Sequence, residues 1–176
     1  MISGEKVYLR GLTKESADLI YQWVNDEDLR AYTGTLYPVS EYEHDEWIRQ
    51  IATAKDRKLF LICDQSNDLP IGTIGLRNMD FINRRAELYI SIGNKEYRSL
   101  PKGQGGFGTD AVRTLVKYCF DRLNLHKISL NVYEENIRAI KCYEKAGFQK
   151  EGLLRDHHFG NGRYENVVVM GIISDR

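Results

Sequence analysis

Apolar and polar residues alternate along this chain with a period that switches between two and about 3.6, and each switch marks an element. Val7 to Leu9 reads as a short strand. Thr13 is placed to cap a helix from Lys14 to Val24, whose stripe contains Leu19, Ile20, Trp23 and Val24. A second helix is predicted over Glu41 to Ala54, behind Pro38 and Ser40. Strands follow at Lys58 to Asp64 and Ile71 to Met79, separated by a turn at Ser66-Asn67-Asp68. After a turn over Asp80 to Arg85, a fourth strand runs from Ala86 to Gly93. A glycine-rich loop then leads to a helix from Thr109 to Leu123, with Val112, Leu115, Val116 and Cys119 on its apolar side. Lys127 to Tyr133 is the fifth strand. Two more are expected near Phe148 to Phe159 and Tyr164 to Ile173, joined by a tight turn at Gly160-Asn161-Gly162.

Between the fifth and sixth strands lies the most informative segment. Asn136 is a natural N-cap, and the helix behind it presents Ala139, Ile140 and Tyr143 on one face. Gly147 supplies a left-handed stop before Phe148. About 28 residues before Asn136 comes the run Lys102-Gly103-Gln104-Gly105-Gly106-Phe107-Gly108-Thr109. Its glycines let backbone N–H groups turn inward beside the positive end of a helix, an arrangement that suits a pyrophosphate.

Composition removes several classes of partner. Lys plus Arg and Asp plus Glu number 25 each, which gives no general affinity for nucleic acid or anionic lipid. At 176 residues the chain suits one domain, 1–176, that buries about two-thirds of its unfolded surface. No apolar run approaches the roughly 20 residues of a membrane span, and Met1-Ile-Ser-Gly-Glu-Lys6 lacks a secretory core. Cys63, Cys119 and Cys142 have no metal-like spacing and read as small core residues of a reducing, cytoplasmic compartment.

The segment Asn136-x-x-Ala139-x-x-x-Tyr143-x-x-x-Gly147-Phe148 resembles the cofactor-and-acid motif of the GNAT acetyltransferase superfamily, and the order of elements resembles that fold throughout. The resemblance implies an α/β (α+β) architecture with a mixed, mostly antiparallel sheet of about seven strands flanked by about four helices. It implies acetyl-CoA as co-substrate without a metal, Asn136 against the pantetheine arm, and Tyr143 as the proton donor to the departing thiolate. Thiol and phenol pKa values of about 8.5 and 10 make that transfer cost only about 2 kcal/mol before preorganisation. Gly103, Gln104, Gly105, Gly106, Phe107, Gly108 and Thr109 would hold the pyrophosphate, although Gly103 stands where the family loop has Arg or Gln. Lys102 or Gln104 fills that position only with a one-residue insertion, and Tyr97 to Pro101 is longer than usual. Ala86-Glu87 matches the family's Ala-Glu strand, which assigns the main chain of Ile90, Ser91 and Ile92 to the pantetheine amides. Glu87 would then meet the acceptor amine, as an electrostatic anchor rather than a direct base, since a carboxylate is poorly matched to an ammonium. The bland alternative is a solvated glutamate paired with Arg84 or Arg85.

Val7-Tyr-Leu-Arg10, Trp23-Val-Asn-Asp26, and Pro38-x-Ser40 with Trp47 look like the ribosomal-protein alanine N-acetyltransferase branch. Leu123-Asn-Leu-His-Lys127 through Gly162-Arg-Tyr-Glu-Asn166 is also similar to bacterial spermidine N-acetyltransferases, though Leu36-Tyr37 stands where those carry acidic residues. The acceptor is therefore expected to be a primary amine, with a polyamine-like small molecule favoured and a protein N-terminus open. Homo-oligomerisation is also open. A non-catalytic acyl-CoA-binding regulator and an unrelated nucleotide-binding domain are the rival classes. His157 and His158 alternate along a strand and cannot share a metal, and His126 reads as a packing residue. Glu41, Glu43, Asp45 and Glu46 read as the wet face of a helix or as an attraction for a polyamine.

Overall fold

Helix starts in this chain are written mainly by side-chain caps. In the computed structural model, which describes residues 1–101, 103–160 and 162–175, Thr13 caps α1 (Lys14–Val24) in a capping box with Ser16. Asp26 caps α2 (Glu27–Thr33), and Ser40 with Glu43 forms a second capping box on α3 (Glu41–Thr53). Asn94 caps the one-turn α4 (Lys95–Arg98), and Asn136 caps α6 (Ile137–Lys145) by accepting from Ala139 N at 3.1 Å. The exception is α5 (Phe107–Asp121), where Gly106 occupies the cap at φ 96° with no side-chain hydrogen bond. Lys102 and Asn161, the centres of the alternative loop alignment and of the last turn, lie outside the described residues.

The strands are β1 (Ile2–Ser3), β2 (Val7–Arg10), β3 (Lys58–Asp64), β4 (Pro70–Asp80), β5 (Arg85–Ile92), β6 (Lys127–Tyr133), β7 (Gln149–Gly160) and β8 (Arg163–Ile173). They form one sheet in the order β1-β2-β3-β4-β5-β6-β8-β7. Every neighbouring pair is antiparallel except β5 with β6. The GNAT-like architecture expected from the sequence is present, with eight described strands and six helices rather than seven and four. The additions are β1, α2 and α4. Each is too short to show a full hydrophobic period, and α2 is set instead by its Asp26 cap and its left-handed Gly34 stop. Helix α5 also begins two residues earlier than expected and ends at Asp121, so Phe107, Gly108 and Thr109 form its first turn.

Strand alternation separates two faces. Val7, Leu9, Ile62, Leu88, Ile128 and Leu130 join α5 and α6 in the main core, each about 2 kcal/mol more favourable buried than exposed. Leu61 and Cys63 point the other way, against Ile20 of α1, with Trp23 and Trp47 packed around them. By the same alternation Glu87, Tyr89 and Ser91 lie on the face away from α5, while Ala86 and Leu88 contact it.

A buried carboxylate joins the start of the chain to α5. Asp110 Oδ2 accepts from Lys6 N at 2.7 Å and Val7 N at 3.0 Å, and Oδ1 accepts from Glu5 N at 3.2 Å. The approach is so close that a Cβ on Gly4 would lie 2.2 Å from Thr114 Oγ1. An alanine at position 110 would leave three backbone donors unpaired. Asp110→Ala is expected to lower unfolding free energy by about 2–3 kcal/mol in denaturant titration with an unchanged m-value.

Candidate active site

Strands β5 and β6 pair only at Arg85↔Lys127, Ala86↔Ile128 and Glu87↔Ser129. Beyond those positions β5 remains tied to β4 (Ile90↔Ile74, Ser91↔Thr73, Ile92↔Gly72), and β6 to β8 as far as Tyr133↔Val167. A cleft therefore opens in the sheet, and the main chain of Ile90, Ser91 and Ile92 borders it on one side. Such an edge can accept an extended ligand as an added strand.

The glycine run leads into the start of α5. The first intrahelical bond runs from Asp110 N to Gly106 O at 2.9 Å, so the N–H groups of Phe107, Gly108 and Thr109 precede it. With no side chain capping them, these donors and the helix dipole form a cradle for an anion. A Cβ on Gly108 would meet only Cys142 Sγ, at 3.8 Å, so protein packing does not require glycine there. The Phe107 ring packs edge-on against Tyr97 with centroids 4.9 Å apart, leaving its backbone as the group available to a ligand. Gln104 donates its N–H to Pro101 O at 3.0 Å, and Gly103 and Gly105 face open space. The lengthened Tyr97 to Pro101 stretch is anchored. Arg98 Nη2 donates to Asp26 Oδ2 and to Gly93 O, each at 3.3 Å, and Arg138 of α6 donates to Arg98 O.

Asn136 and Tyr143 stand on α6, which leaves the C-terminal end of β6. The Asn136 carbonyl oxygen is committed to Ala139 N, which leaves its NH₂ group for any ligand. Tyr143 is buried, with its ring 6.1 Å from that of Phe148. Burial pushes its phenol pKa well above the ordinary value, with a smaller push from Cys142. The proton is thus firmly held at neutral pH. Cys142 is only half-buried, unlike Cys63 and Cys119, and its Sγ accepts from Thr109 Oγ1 at 3.3 Å, tying α5 to α6.

Glu87 sits at the head of the cleft with its side chain 17% exposed. Its partners are neither Arg84 nor Arg85: Arg77, directly across on β4, pairs with Oε1, and Asn78 Nδ2 donates to Oε2 at 3.1 Å. A bulge between Arg77 and Asp80, with Asn78 at φ 52°, brings both side chains to one carboxylate. Arg85 instead pairs with Asp80. Arg77 also lies 5.7 Å from the centre of the Tyr89 ring.

Several sequence candidates stand elsewhere. The register shifts between Leu154 and His158, so the two histidines do not simply alternate, and His158 stacks on Tyr133 at 4.5 Å. Glu41, Glu43, Asp45 and Glu46 are exposed on α3, Glu43 being held by its cap. His126 is fixed through its main chain to Arg84 O and Ser174 N. Among the described residues no group of three His, Cys, Asp or Glu could hold a metal, and no helix is long and apolar enough to cross a membrane. Sequence reasoning did not reach Arg77, Asn78, Lys6 or Asp110. A bulge was the one local signal available for the first two, and the last two meet across about 100 residues.

The chain matches the acetyltransferase (GNAT) domain model over residues 6–149. It is 32% identical over 169 residues to spermidine N(1)-acetyltransferase of Vibrio cholerae, covering 96% of this chain and 93% of that one. A crystal structure of the V. cholerae spermidine N-acetyltransferase, solved with CoA and spermine, superposes with a TM-score of 0.81 at 31% identity, covering 96% and 95% of the two chains. A Bacillus subtilis protein named as a candidate ribosomal N-acetyltransferase, YdaF, is 29% identical over 149 residues, with 85% and 73% covered. The chain belongs to the GNAT acetyltransferase family and is an acetyl-CoA-dependent N-acetyltransferase.

Residues 103–109 fit a CoA diphosphate through main-chain donors, and that fit can be tested without disturbing the cap. Gly106 is strained by any side chain at φ 96°, so Gly108→Val is the cleaner variant. Calorimetry is expected to show acetyl-CoA affinity falling by about an order of magnitude, with a melting shift of only about 2–4 °C. Unchanged affinity would remove the cradle.

Proposed function

We propose that this single-domain enzyme transfers acetyl directly to a primary amine of a polyamine-like molecule, inside the cleft between β5 and β6. The observation that carries this reading is the opened seam itself. It has an uncapped helix start at one end, a half-buried carboxylate at the other, and a protonated phenol on α6. The likeness to a spermidine acetyltransferase solved with spermine supports the acceptor class. The ribosomal relative makes a protein N-terminus the second acceptor class. Acetyl-CoA, when bound, supplies the acetyl group as a thioester.

The chain supplies orientation, charge and a proton. Main-chain groups of Ile90, Ser91 and Ile92 extend the sheet onto the pantetheine arm, aided by Asn136. Residues Gly103 to Thr109 hold the diphosphate. Glu87 anchors the arriving ammonium, which takes the place of Arg77 on Oε1 while Asn78 keeps Oε2 in place. The ammonium proton passes through water to bulk solvent, and the neutral amine then attacks the thioester carbonyl, forming the C–N bond as the C–S bond breaks. Arg77 then has the face of Tyr89 as its nearest alternative partner. Tyr143 gives its proton to the thiolate as the acetyl group leaves. Cys142, raised in pKa chiefly by burial and hydrogen-bonded to a hydroxyl rather than a base, is poorly suited to a covalent route.

Two measurements test these roles, alongside thiol release across an amine panel that includes a peptide N-terminus. Tyr143→Phe keeps the ring and removes the proton. Its kcat is expected to fall about 10²- to 10⁴-fold with acetyl-CoA affinity largely kept. Since the raised phenol stays protonated through about pH 9, an alkaline rise in rate below that point should survive in the variant. Full activity would demote Tyr143 to a core residue.

Glu87→Gln should raise the acceptor KM and flatten its dependence on salt, leaving acetyl-CoA affinity unchanged. Arg77→Gln should do the opposite, lowering the acceptor KM by removing the competing cation. Matching KM values in parent and both variants would sink the anchor role.

A further inference from the structure

Residues 103–109 carry no charged side chain, yet a cation stands beside them. Lys6, in the turn between β1 and β2, donates from Nζ to Gly105 O at 2.8 Å. Its ammonium lies 5.6 Å from the centre of the Phe107 ring and 3.5 Å from where a Cβ on Gly106 would be. Three consecutive loop residues thus border one ammonium, which retains two further N–H donors.

The ammonium stands beside the partial positive charge of the start of α5, and no carboxylate forms an ion pair with Lys6 among the described residues. The position is imposed from elsewhere. The buried Asp110 carboxylate holds the N–H groups of Glu5, Lys6 and Val7, fixing the Lys6 backbone to the first turn of the same helix. An anion at the helix start would be attracted by both the ammonium and the helix.

Resting on the reading of that helix start as the diphosphate cradle, we propose that Lys6 is a ligand of the CoA diphosphate. It supplies from the N-terminal hairpin the positive charge that Gly103 to Thr109 lack. Gly105 O and the Phe107 ring hold the ammonium until the diphosphate arrives, and its two remaining donors then serve the phosphate oxygens. The cofactor also carries a 3′-phosphate, so the test separates the two anions.

Calorimetry would compare CoA, dephospho-CoA and pantetheine on the parent, Lys6→Met and Lys6→Arg. Methionine keeps an unbranched side chain of similar length and removes the charge. Lys6→Met is expected to weaken CoA and dephospho-CoA about tenfold each and to leave pantetheine unchanged, with Lys6→Arg recovering most of the loss. Its ligand-free melting temperature should change little, because the ammonium is exposed and its one hydrogen bond is to a loop carbonyl. Unchanged CoA affinity in Lys6→Met overturns the proposal. Equal weakening of all three ligands, or a fall in ligand-free stability, would assign Lys6 to loop structure. Weakening of CoA alone would move the charge to the 3′-phosphate. Should the parent bind CoA no better than pantetheine, the cradle reading fails, and Lys6 falls with it.

Discussion

The parallel pairing of β5 with β6 stops at Glu87 and Ser129, while each strand stays hydrogen-bonded along its other edge. A sheet built as two antiparallel blocks joined by one short parallel seam can open there without losing either block. Because the two strands are parallel, the helices that follow them, α4 and α5 after β5 and α6 after β6, begin at the same end of the sheet. Unpaired backbone, the uncapped start of α5 and the Asn136 cap of α6 therefore lie toward one end of the sheet. No single loop has to carry the site.

Electrostatic demands at that opening conflict with those of stability. Five described helices satisfy their first N–H groups with a side chain, whereas α5 has no side-chain cap. Burial that makes Tyr143 a dependable proton store also makes it a weaker acid than a free phenol. A thiolate formed in such low-dielectric surroundings would be penalised as well, which would narrow the mismatch between the two acids. At the other end, the half-buried Glu87 is neutralised by Arg77 and accepts from Asn78, so its carboxylate is not left unpaired. The bulge at Asn78 is what brings a second partner to that carboxylate.

Stiffness reaches the cofactor loop from outside it. Asp110 locks the N-terminal hairpin to α5, Thr109 bonds to Cys142 on α6, and Arg98 binds Asp26 while its carbonyl accepts from Arg138. Each tie joins elements distant in sequence. Together they hold a glycine-rich segment that has little rotameric order of its own.

The sequence by itself determined the elements whose signals are local. Period, caps and glycine stops placed α1, α3, β3, β6 and α6 closely, because hydrophobic spacing and a capping side chain act within a few residues. Asn136 and Tyr143 were legible for the same reason, since one helix sets their spacing. The short elements β1, α2 and α4 were not, each being too short to show a periodic face. Only the tertiary structure decided where the seam opens, which cation faces Glu87, and that a lysine and an aspartate about 100 residues apart meet beside the glycine-rich loop. Those facts depend on strand order and register. A residue's local pattern constrains which face it takes, but which distant charge lies across from it follows only once the sheet has closed.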